Sequence, residues 1–437
     1  MNFRVLPSVL MSSLLLSGCG FFKTQKPVAE GERETVMLTD QLPEMTMDST
    51  SQDVTVPPCV HNADWAQAGG CPSHDMPPAA VGDKLQVAWE QSIGGSSSGD
   101  HRLLSEPVVY HGVVSVLNTN GEVRSYEVSS GKPLWSTSIE PESGATNYIG
   151  GGLAVDHDHV YVTSPSAEVL ALDHQSGHIL WRTSTDSPIR AAPTVFDGRV
   201  YVVDINNVLS VFDADTGDKL WNHRGIVEST GILGSASPAV SGDSVVVPYS
   251  SGEVYALQTQ TGSRLWADTL ASLRRVDSLS TIPHIRARPV ISGTQVFLVS
   301  QSGSMSAIDL RTGRKMWNRT IGGIQSPAVA GKYVFVISSN NSLICLNRHT
   351  GRAAWIQQLP QFESPEDQKG PLVWSGPLIA GNHLYLVGNN RKMSVHNISN
   401  GEQYADIALP GSSSIPPIAA SGTIFILTDG GDLVAMR

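Results

Sequence analysis

The sequence predicts an all-β protein, an eight-bladed β-propeller of four-stranded antiparallel blades whose ring is closed by an N-terminal outer strand. The first observation is a repeated phrase of a small polar residue, glycine, two variable residues, a usually apolar residue and tryptophan. It occurs as SGKPLW (130–135), SGHILW (176–181), TGDKLW (216–221), TGSRLW (261–266), TGRKMW (312–317), TGRAAW (350–355) and a degraded NGEQYA (400–405). From Trp135 to Ala405 there are 270 residues in six intervals, an average of 45. Repeats of this length are typical of propellers and solenoids.

The second observation is that each repeat contains four short strand-like runs and no helical period. Within residues 192–223, apolar and β-branched residues cluster in PTV, VYVV, LSVF and KLW. Turn residues such as Asp197-Gly198 and Asn206-Asn207 separate these runs. Four antiparallel strands joined by tight turns form one propeller blade.

The N-terminal residues 1–18 read as a signal peptide. Arg4 precedes an apolar run, Val5 to Leu16, which is too short to span a bilayer. The run ends in Leu16-Ser17-Gly18-Cys19, which resembles the lipobox of bacterial lipoproteins, so Cys19 is the expected lipidation site. Gly20 after the cysteine favours export to the outer membrane in lipoproteins of the enterobacterial type. The alternative is an ordinary secretory signal with a chance cysteine.

Residues 19–83 are expected to form a lipidated tether and a lead-in segment, because they contain few aromatic residues and no sustained period. Cys59 and Cys71 are candidates for a disulfide, which an oxidising periplasm favours. A Cys/His metal site and free thiols remain as alternatives, although the spacing is not that of a standard zinc site. Cys345, in a third strand, is expected to be a buried, inert thiol.

The propeller is expected to span residues 84–437. First strands start at eight places (Pro107, Leu153, Pro193, Pro238, Pro289, Pro327, Pro377 and Pro417), but only seven outer-strand phrases follow them. An unmatched outer strand, KLQVAWEQSI (84–93), precedes the first repeat. We expect this strand to complete the eighth blade, which removes exposed sheet edges from the ring.

The glycine and the tryptophan of the phrase have structural interpretations. The glycine ends the turn between the third and fourth strands, where a positive φ is commonly needed. The tryptophan in the outer strand is expected to dock on the next blade, and such a ring buries about 150–250 Å². The predicted docking residues are Trp89, Trp135, Trp181, Trp221, Trp266, Trp317 and Trp355.

Composition argues against several functions. The formal net charge of -11 argues against a nucleic-acid partner, because phosphate binding needs a basic surface. No Ser-His-Asp order, phosphate-binding glycine loop or HExxH motif is present. We therefore expect no catalytic residues, no metal and no cofactor. A propeller that binds a glycan or another small ligand in its channel is an alternative.

Two copies of the repeat, Ala171-Leu172-Asp173 to Trp181 and Ala307-Ile308-Asp309 to Trp317, resemble the PQQ-type, tryptophan-docking propeller repeat. This repeat occurs in quinoprotein dehydrogenases and in proteins that are not enzymes. The enzymes carry a vicinal cysteine pair, whereas no two cysteines are adjacent here. A PQQ-dependent dehydrogenase is thus the less favoured reading.

The lipobox, the eight repeats with a closing strand, and the size together resemble the BamB family of lipoproteins. The segment Asp64-Trp65-Ala66-Gln67-Ala68-Gly69-Gly70 also resembles the W-x-Q-x-G-G lead-in of α-proteobacterial members. The resemblance implies a scaffold at the periplasmic face of the outer membrane. It would dock on the POTRA domains of BamA, beside other components of the barrel-assembly (BAM) machinery. There it would assist the folding and insertion of unfolded outer-membrane protein precursors.

In that family, two successive crossovers between blades carry the BamA contact, one with a Leu-x-Leu-Arg-Gly run and the next with an acidic pair. The first matches Thr230 to Gly234 here, and the second falls near His284 and Arg286. We therefore expect a docking patch on these loops. Its predicted members are Ile232, Leu233, Arg274, Arg275 and Arg286. The alternative is that the arginines only solvate a long loop.

Overall fold

The computed structural model describes residues 54–99, 101–141, 149–228, 233–270 and 284–437. The predicted signal peptide and Cys19 lie outside these ranges. Within the described part of the chain, no helix is long and apolar enough to cross a membrane.

The predicted eight-bladed propeller is confirmed. Each blade is a separate four-stranded antiparallel sheet. In blades 1 to 7 the strands follow chain order from the channel outward, whereas in blade 8 the N-terminal strand is outermost. Blade 1 contains β2 (Val108–Tyr110), β3 (Val113–Leu117), β4 (Glu122–Glu127) and β5 (Pro133–Ser138). Blade 2 contains β6 (Gly152–Asp156), β7 (His159–Ser164), β8 (Glu168–Asp173) and β9 (Ile179–Ser184). Blade 3 contains β10 (Thr194–Phe196), β11 (Arg199–Val203), β12 (Val208–Asp213) and β13 (Lys219–Arg224). Blade 4 contains β14 (Ala239–Ser241), β15 (Ser244–Pro248), β16 (Glu253–Gln258) and β17 (Arg264–Thr269).

The second half of the ring repeats this order. Blade 5 contains β18 (Val290–Ser292), β19 (Gln295–Val299), β20 (Met305–Asp309) and β21 (Lys315–Arg319). Blade 6 contains β22 (Ala328–Ala330), β23 (Tyr333–Ile337), β24 (Ser342–Asn347) and β25 (Ala353–Gln358), and a short hairpin of β26 (Phe362–Ser364) and β27 (Lys369–Pro371) follows it. Blade 7 contains β28 (Trp374–Ala380), β29 (His383–Gly388), β30 (Lys392–Asn397) and β31 (Gln403–Ala408). Blade 8 contains β32 (Ile418–Ala420), β33 (Thr423–Leu427), β34 (Asp432–Met436) and the N-terminal β1 (Val87–Ser92).

The N-terminal strand closes the ring as the sequence predicts. β1 pairs antiparallel with β34, so that Trp89 lies opposite Ala435 and Ser92 opposite Asp432. The eighth blade is therefore assembled from both ends of the folded body, which leaves no blade without an outer strand.

The repeated tryptophans join neighbouring blades through a hydrogen bond. In Trp181, Nε1 donates to the carbonyl of Ala214 in the next blade at 3.0 Å. The same bond, between 2.6 and 3.1 Å, runs from Trp89 to Val128, Trp135 to His174, Trp221 to Thr259, Trp266 to Leu310, Trp317 to Arg348 and Trp355 to Ile398. Blade 7 carries Ala405 at this position and makes no such bond within the described residues.

The glycine of the phrase has a second role that the sequence reading did not include. Gly217 has φ +74°, and a Cβ there would lie 2.7 Å from Cε3 of Trp181 in the preceding blade. The absent side chain thus makes room for the neighbour's indole, in addition to permitting the turn. Asp213 fixes the same turn, since its Oδ1 accepts from the backbone N–H of Thr216 at 3.0 Å.

Every outer strand that includes the end of a repeat phrase contains a β-bulge directly before the tryptophan position. In blade 3, Phe212 pairs with Lys219 and Val211 with Trp221, so Leu220 is the extra residue. Bulges at this place interrupt the outer edge of the sheet, a common protection of edge strands. The bulge residue points to solvent in five blades and is 45% to 67% exposed there: Leu134, Leu180, Leu220, Leu265 and Tyr404.

Candidate functional site

The predicted docking patch is only partly covered by the structure. Ile232, Arg274 and Arg275 lie outside the described residues, and Leu233 is half-buried. The position of Arg286 differs from the expectation of an exposed loop residue. Its Nε lies 2.9 Å from where a Cβ of Gly234 would be, and burial, together with the charge of Arg288, lowers the pKa of Arg286.

The reason for this difference is the place of Arg286 in the blade. It lies three residues before Pro289, where the chain has left the crossover and enters the first strand of blade 5. Residues that directly precede a first strand lie at the central channel of a propeller. The crossover between blades 4 and 5 looks like an exposed loop in the sequence, but its last residues lie inside the ring.

An ion pair spans the central channel one layer deeper than Arg286. Glu106 precedes the first strand of blade 1, and Arg288 precedes that of blade 5, the opposite blade in a ring of eight. Arg288 Nη2 lies 2.6 Å from Glu106 Oε1, and Glu106 Oε2 accepts from the N–H of Gly69 at 3.1 Å. The Glu106 side chain is almost completely buried, so the pair is held in a low-dielectric region.

The lead-in segment, residues 54–81, covers the channel end opposite the crossovers. Trp65 exchanges two backbone hydrogen bonds of 2.8 Å with Val109 in blade 1, and Ala66 accepts from Val155 in blade 2 at 2.7 Å. The side chain of Gln67 takes the place of a strand partner in blade 3, because its amide donates to the Val195 carbonyl at 2.8 Å and accepts from the Val195 N–H at 2.9 Å.

The segment continues around the remaining blades. Val240 N in blade 4 donates to Pro72 O at 2.7 Å, and Ile291 N in blade 5 donates to Ser73 O at 2.9 Å. Ala79 N donates to Ile379 O in blade 7, and Ser421 N in blade 8 donates to Asn62 O. In blade 6, Pro57 Cδ would lie 2.9 Å from a Cβ at Gly331. The lead-in segment therefore touches the inner part of all eight blades and belongs to the folded body.

This course of the chain explains why the predicted disulfide does not form. Cys59 and Cys71 are both free, in place of the expected bond. The Cys59 thiol donates to Gly381 O in blade 7 at 3.0 Å, whereas Cys71 precedes the residues that bridge blades 4 and 5. Backbone hydrogen bonds to the blades fix the segment instead. Cys345 is fully buried, and burial raises the pKa of its thiol.

A cavity of about 70 Å³ lies between the lead-in segment and the Glu106–Arg288 pair. His74, from the lead-in segment, is 7% exposed and lines it. His74 Nδ1 lies 2.7 Å from the Pro289 carbonyl, which can only accept, so Nδ1 carries the proton. Burial and the charge of Arg288 lower the pKa of His74 to about 3, so the ring is neutral at physiological pH.

The crossover side of the ring carries a second charged feature. The long crossover after Trp355 folds into the β26–β27 hairpin, whose turn contains the exposed residues Glu366 and Asp367. Among the described residues, no group of three His, Cys, Asp or Glu side chains is arranged to hold a metal ion. The candidate functional surface is thus the crossover side, with an arginine-lined channel mouth and an acidic hairpin.

Sequence reasoning missed the ion pair and the course of the lead-in segment. The available signals were the lone acidic residue in the position before Pro107 and the Arg-x-Arg-Pro run before blade 5. Neither signal belongs to a periodic strand pattern. Glu106 and Arg288 are also far apart in sequence, so only the geometry of the ring brings them together.

Eight four-stranded blades, seven of them docked by a tryptophan, and a closing N-terminal strand define the class of PQQ-type β-propellers. Within this class, a family model described as outer membrane protein assembly factor BamB matches residues 119–357, which is more than half of the 437 residues. The chain belongs to this family.

Curated relatives agree with this assignment. Outer membrane protein assembly factor BamB of Vibrio cholerae is 32% identical over 234 residues, which cover 54% of this chain and 60% of the relative. The protein of the same name from Moranella endobia is 23% identical over 245 residues, which cover 55% of this chain and 63% of the relative. The chain thus spans about three fifths of the length of the curated relatives it matches.

Solved structures show the same fold. The crystal structure of BamB from Moraxella catarrhalis has a TM-score of 0.68 at 17% identity and covers 81% of this chain and 100% of that one. A europium-containing methanol dehydrogenase also has a TM-score of 0.68, at 13% identity, with 86% and 98% covered. At these identities the likeness concerns the fold and does not separate a scaffold from an enzyme.

Proposed function

We propose that this protein is a non-enzymatic scaffold of the outer-membrane β-barrel assembly (BAM) machinery. The observation that carries the proposal is the match of the BamB family model to residues 119–357, the middle of the ring. The scaffold is anchored by a lipid on Cys19 at the periplasmic face of the outer membrane, and it docks on the POTRA domains of BamA beside the other BAM components.

The crossover side supports this proposal as the docking face. The opposite channel end is covered by the lead-in segment, which already uses the inner strands' hydrogen-bonding groups there. The crossovers that flank blade 4, by contrast, are long in sequence, and long loops on a rigid scaffold are frequent binding sites. Ile232, Leu233, Arg274 and Arg275 belong to these crossovers. We retain them as the docking patch, whereas Arg286 lies at the channel, before the first strand of blade 5.

The outer strands support a second contact, with unfolded barrel precursors. In blades 1 to 4, an exposed leucine occupies the bulge position of each outer strand: Leu134, Leu180, Leu220 and Leu265. The residues after the tryptophan pair regularly on one side, as Asn222 does with Ser210. Their other side is a free strand edge that an extended apolar segment can pair with. The bulge limits such pairing to the end of each outer strand.

The enzymatic alternative, a PQQ-dependent dehydrogenase, has only the fold in its favour. No two of the three described cysteines are adjacent in the chain. Glu106 and Arg288, which precede first strands, form an ion pair across the channel. The recurring Asp173, Asp213 and Asp309 each accept hydrogen bonds from their own turn. Their carboxylates therefore have a structural role.

The test is a pull-down from detergent-solubilised envelope, with the lipidated full chain as bait and mass spectrometry as the readout. We expect recovery of BamA and the other BAM lipoproteins. Their absence from a verified lipidated bait would overturn the proposal and favour a ligand-binding propeller.

A variant pair tests the docking patch in the same experiment. The double substitution Ile232→Ser and Leu233→Ser should reduce BamA recovery at least tenfold. Leu180→Ser, an equally apolar change on an outer strand, serves as the matched control and should leave recovery unchanged. Equal recovery with both baits would contradict the patch while leaving the scaffold function intact.

A further inference from the structure

Two blades carry the same arginine at the mouth of the channel. The segments Ile189-Arg190-Ala191-Ala192-Pro193 and Ile285-Arg286-Ala287-Arg288-Pro289 occupy equivalent positions before the first strands of blades 3 and 5. Blade 4, which lies between them, has Gly234 and Ser235 at this level. Equivalent positions in a propeller lie at equal height in the channel, so Arg190 and Arg286 flank the small residues of blade 4.

Neither of these two guanidinium groups has a hydrogen-bond or ion-pair partner among the residues that the structure describes. Nε of Arg190 is buried without a partner. The nearby carboxylate of Glu106 is already engaged at both oxygens, by Arg288 and by the N–H of Gly69. The single negative charge of Glu106 is therefore already balanced by Arg288.

The electrostatic effect of the two arginines is visible at His284. This buried imidazole has its pKa lowered to about 4, first by burial and then by the charges of Arg286 and Arg190. The channel mouth is therefore positive, in a protein of net charge -11.

Glycines shape the space around these side chains. A Cβ at Gly150, where φ is +128°, would lie 3.0 Å from both Cα and Cγ of Arg190. A Cβ at Gly234, where φ is +95°, would lie 2.9 Å from Nε of Arg286. The bare backbone of Gly150 thus packs against the root of Arg190, and that of Gly234 packs against the guanidinium end of Arg286.

We propose that Arg190 and Arg286 form an anion-binding site at the crossover-side mouth of the channel, and that its ligand carries carboxylate groups. Two forked guanidinium groups suit bidentate hydrogen bonds to carboxylates. Arg288, one layer deeper, already pairs with a carboxylate, since its Nη2 lies 2.6 Å from Glu106 Oε1. The site does not depend on the proposed scaffold function. Its ligand is either a free polycarboxylate or an acidic stretch of a protein.

Calorimetric titration at constant ionic strength tests the proposal, with citrate and hexaglutamate as separate probes. We expect at least one probe to bind the wild-type protein, and the double variant Arg190→Gln and Arg286→Gln to bind it at least tenfold more weakly. Arg224→Gln, which removes an exposed arginine from the end of β13, is the matched control and should bind like the wild type. A thermal unfolding curve for each variant verifies that it is folded.

Each outcome has a defined meaning. Binding of citrate assigns the site to a free polycarboxylate, and binding of hexaglutamate alone assigns it to an acidic protein segment. Failure of both probes to bind, or equal affinity of the wild type and the double variant, overturns the proposal. Neither result changes the expected recovery of BamA in the pull-down, so the two hypotheses fail separately.

Discussion

The Glu106 carboxylate and the Arg288 guanidinium meet at 2.6 Å across the central channel, although they come from opposite blades of the ring. Gly69 of the lead-in segment donates to the same carboxylate. One buried ion pair thus connects two blades and the segment that covers the channel. The closed state of the ring and the position of the lead-in segment are coupled at this point.

Replacing Arg288 with Met should destabilise the protein by about 3–5 kcal/mol, because it leaves a buried carboxylate without its partner. The double variant Glu106→Gln and Arg288→Met should be less destabilised than the single one, since the uncompensated charge is gone. Urea unfolding of the wild type, both single variants and the double variant gives the coupling energy. A coupling near zero would contradict a direct role of the pair.

The repeated glycine offers a comparison within one blade. Gly217 and Gly198 have similar φ values, +74° and +68°, but only Gly217 lies against an indole, that of Trp181. Gly198→Ala should therefore cost about 1–2 kcal/mol from backbone strain alone. Gly217→Ala carries the same strain and also displaces the ring, so its free energy of unfolding should fall further, by an additional 1–3 kcal/mol or so. Equal losses in the two variants would show that the indole contact contributes nothing.

The blades were predictable from the sequence because their determinants are local and repeated. The strand runs, the turn glycines and the tryptophans all recur about every 45 residues, and Trp89 alone reveals the closing strand. The lead-in segment was not predictable, because its contacts with the ring are single bridges that need no periodic pattern. The position of Arg286 was missed for a related reason: nothing in a loop sequence shows where the loop enters the channel.

The lead-in segment should contribute measurably to stability through Gln67. This side chain is 4% exposed and satisfies both backbone groups of Val195. Gln67→Ala leaves a buried N–H and a buried C=O without partners, at a cost of about 1–3 kcal/mol each. The exposed Gln175→Ala is the control and should change the free energy of unfolding by less than about 0.5 kcal/mol. Thermal or urea unfolding measures both, and a neutral Gln67→Ala would show that the segment is not fixed there.

The cysteines give a chemical test of the fold. In a soluble form with Cys19 replaced by Ser, three cysteines remain, and all three are free in the structure. Titration with a thiol reagent in denaturant, without reductant, should therefore detect three thiols in protein purified from the periplasm. One thiol would indicate that Cys59 and Cys71 are bridged, and the described course of the lead-in segment would then be wrong. Reductant should leave the midpoint of thermal unfolding unchanged.

Stability should decrease as the pH falls below neutral, because His74 is buried in its neutral form. Its pKa is lowered from 6.5 to about 3 by burial and by Arg288, while Nδ1 donates to Pro289. Above pH 6.5, neither the folded nor the unfolded state binds a proton at this ring. Between pH 6.5 and about 3, only the unfolded state does, so unfolding becomes more favourable by up to about 1.4 kcal/mol per pH unit.

His74→Asn should unfold with a smaller pH slope in this range than the wild type, as measured by urea unfolding at pH 7, 6, 5 and 4. The exposed His178→Asn is the control and should retain the wild-type slope. An unchanged slope in His74→Asn would show that His74 is not the group that titrates on unfolding.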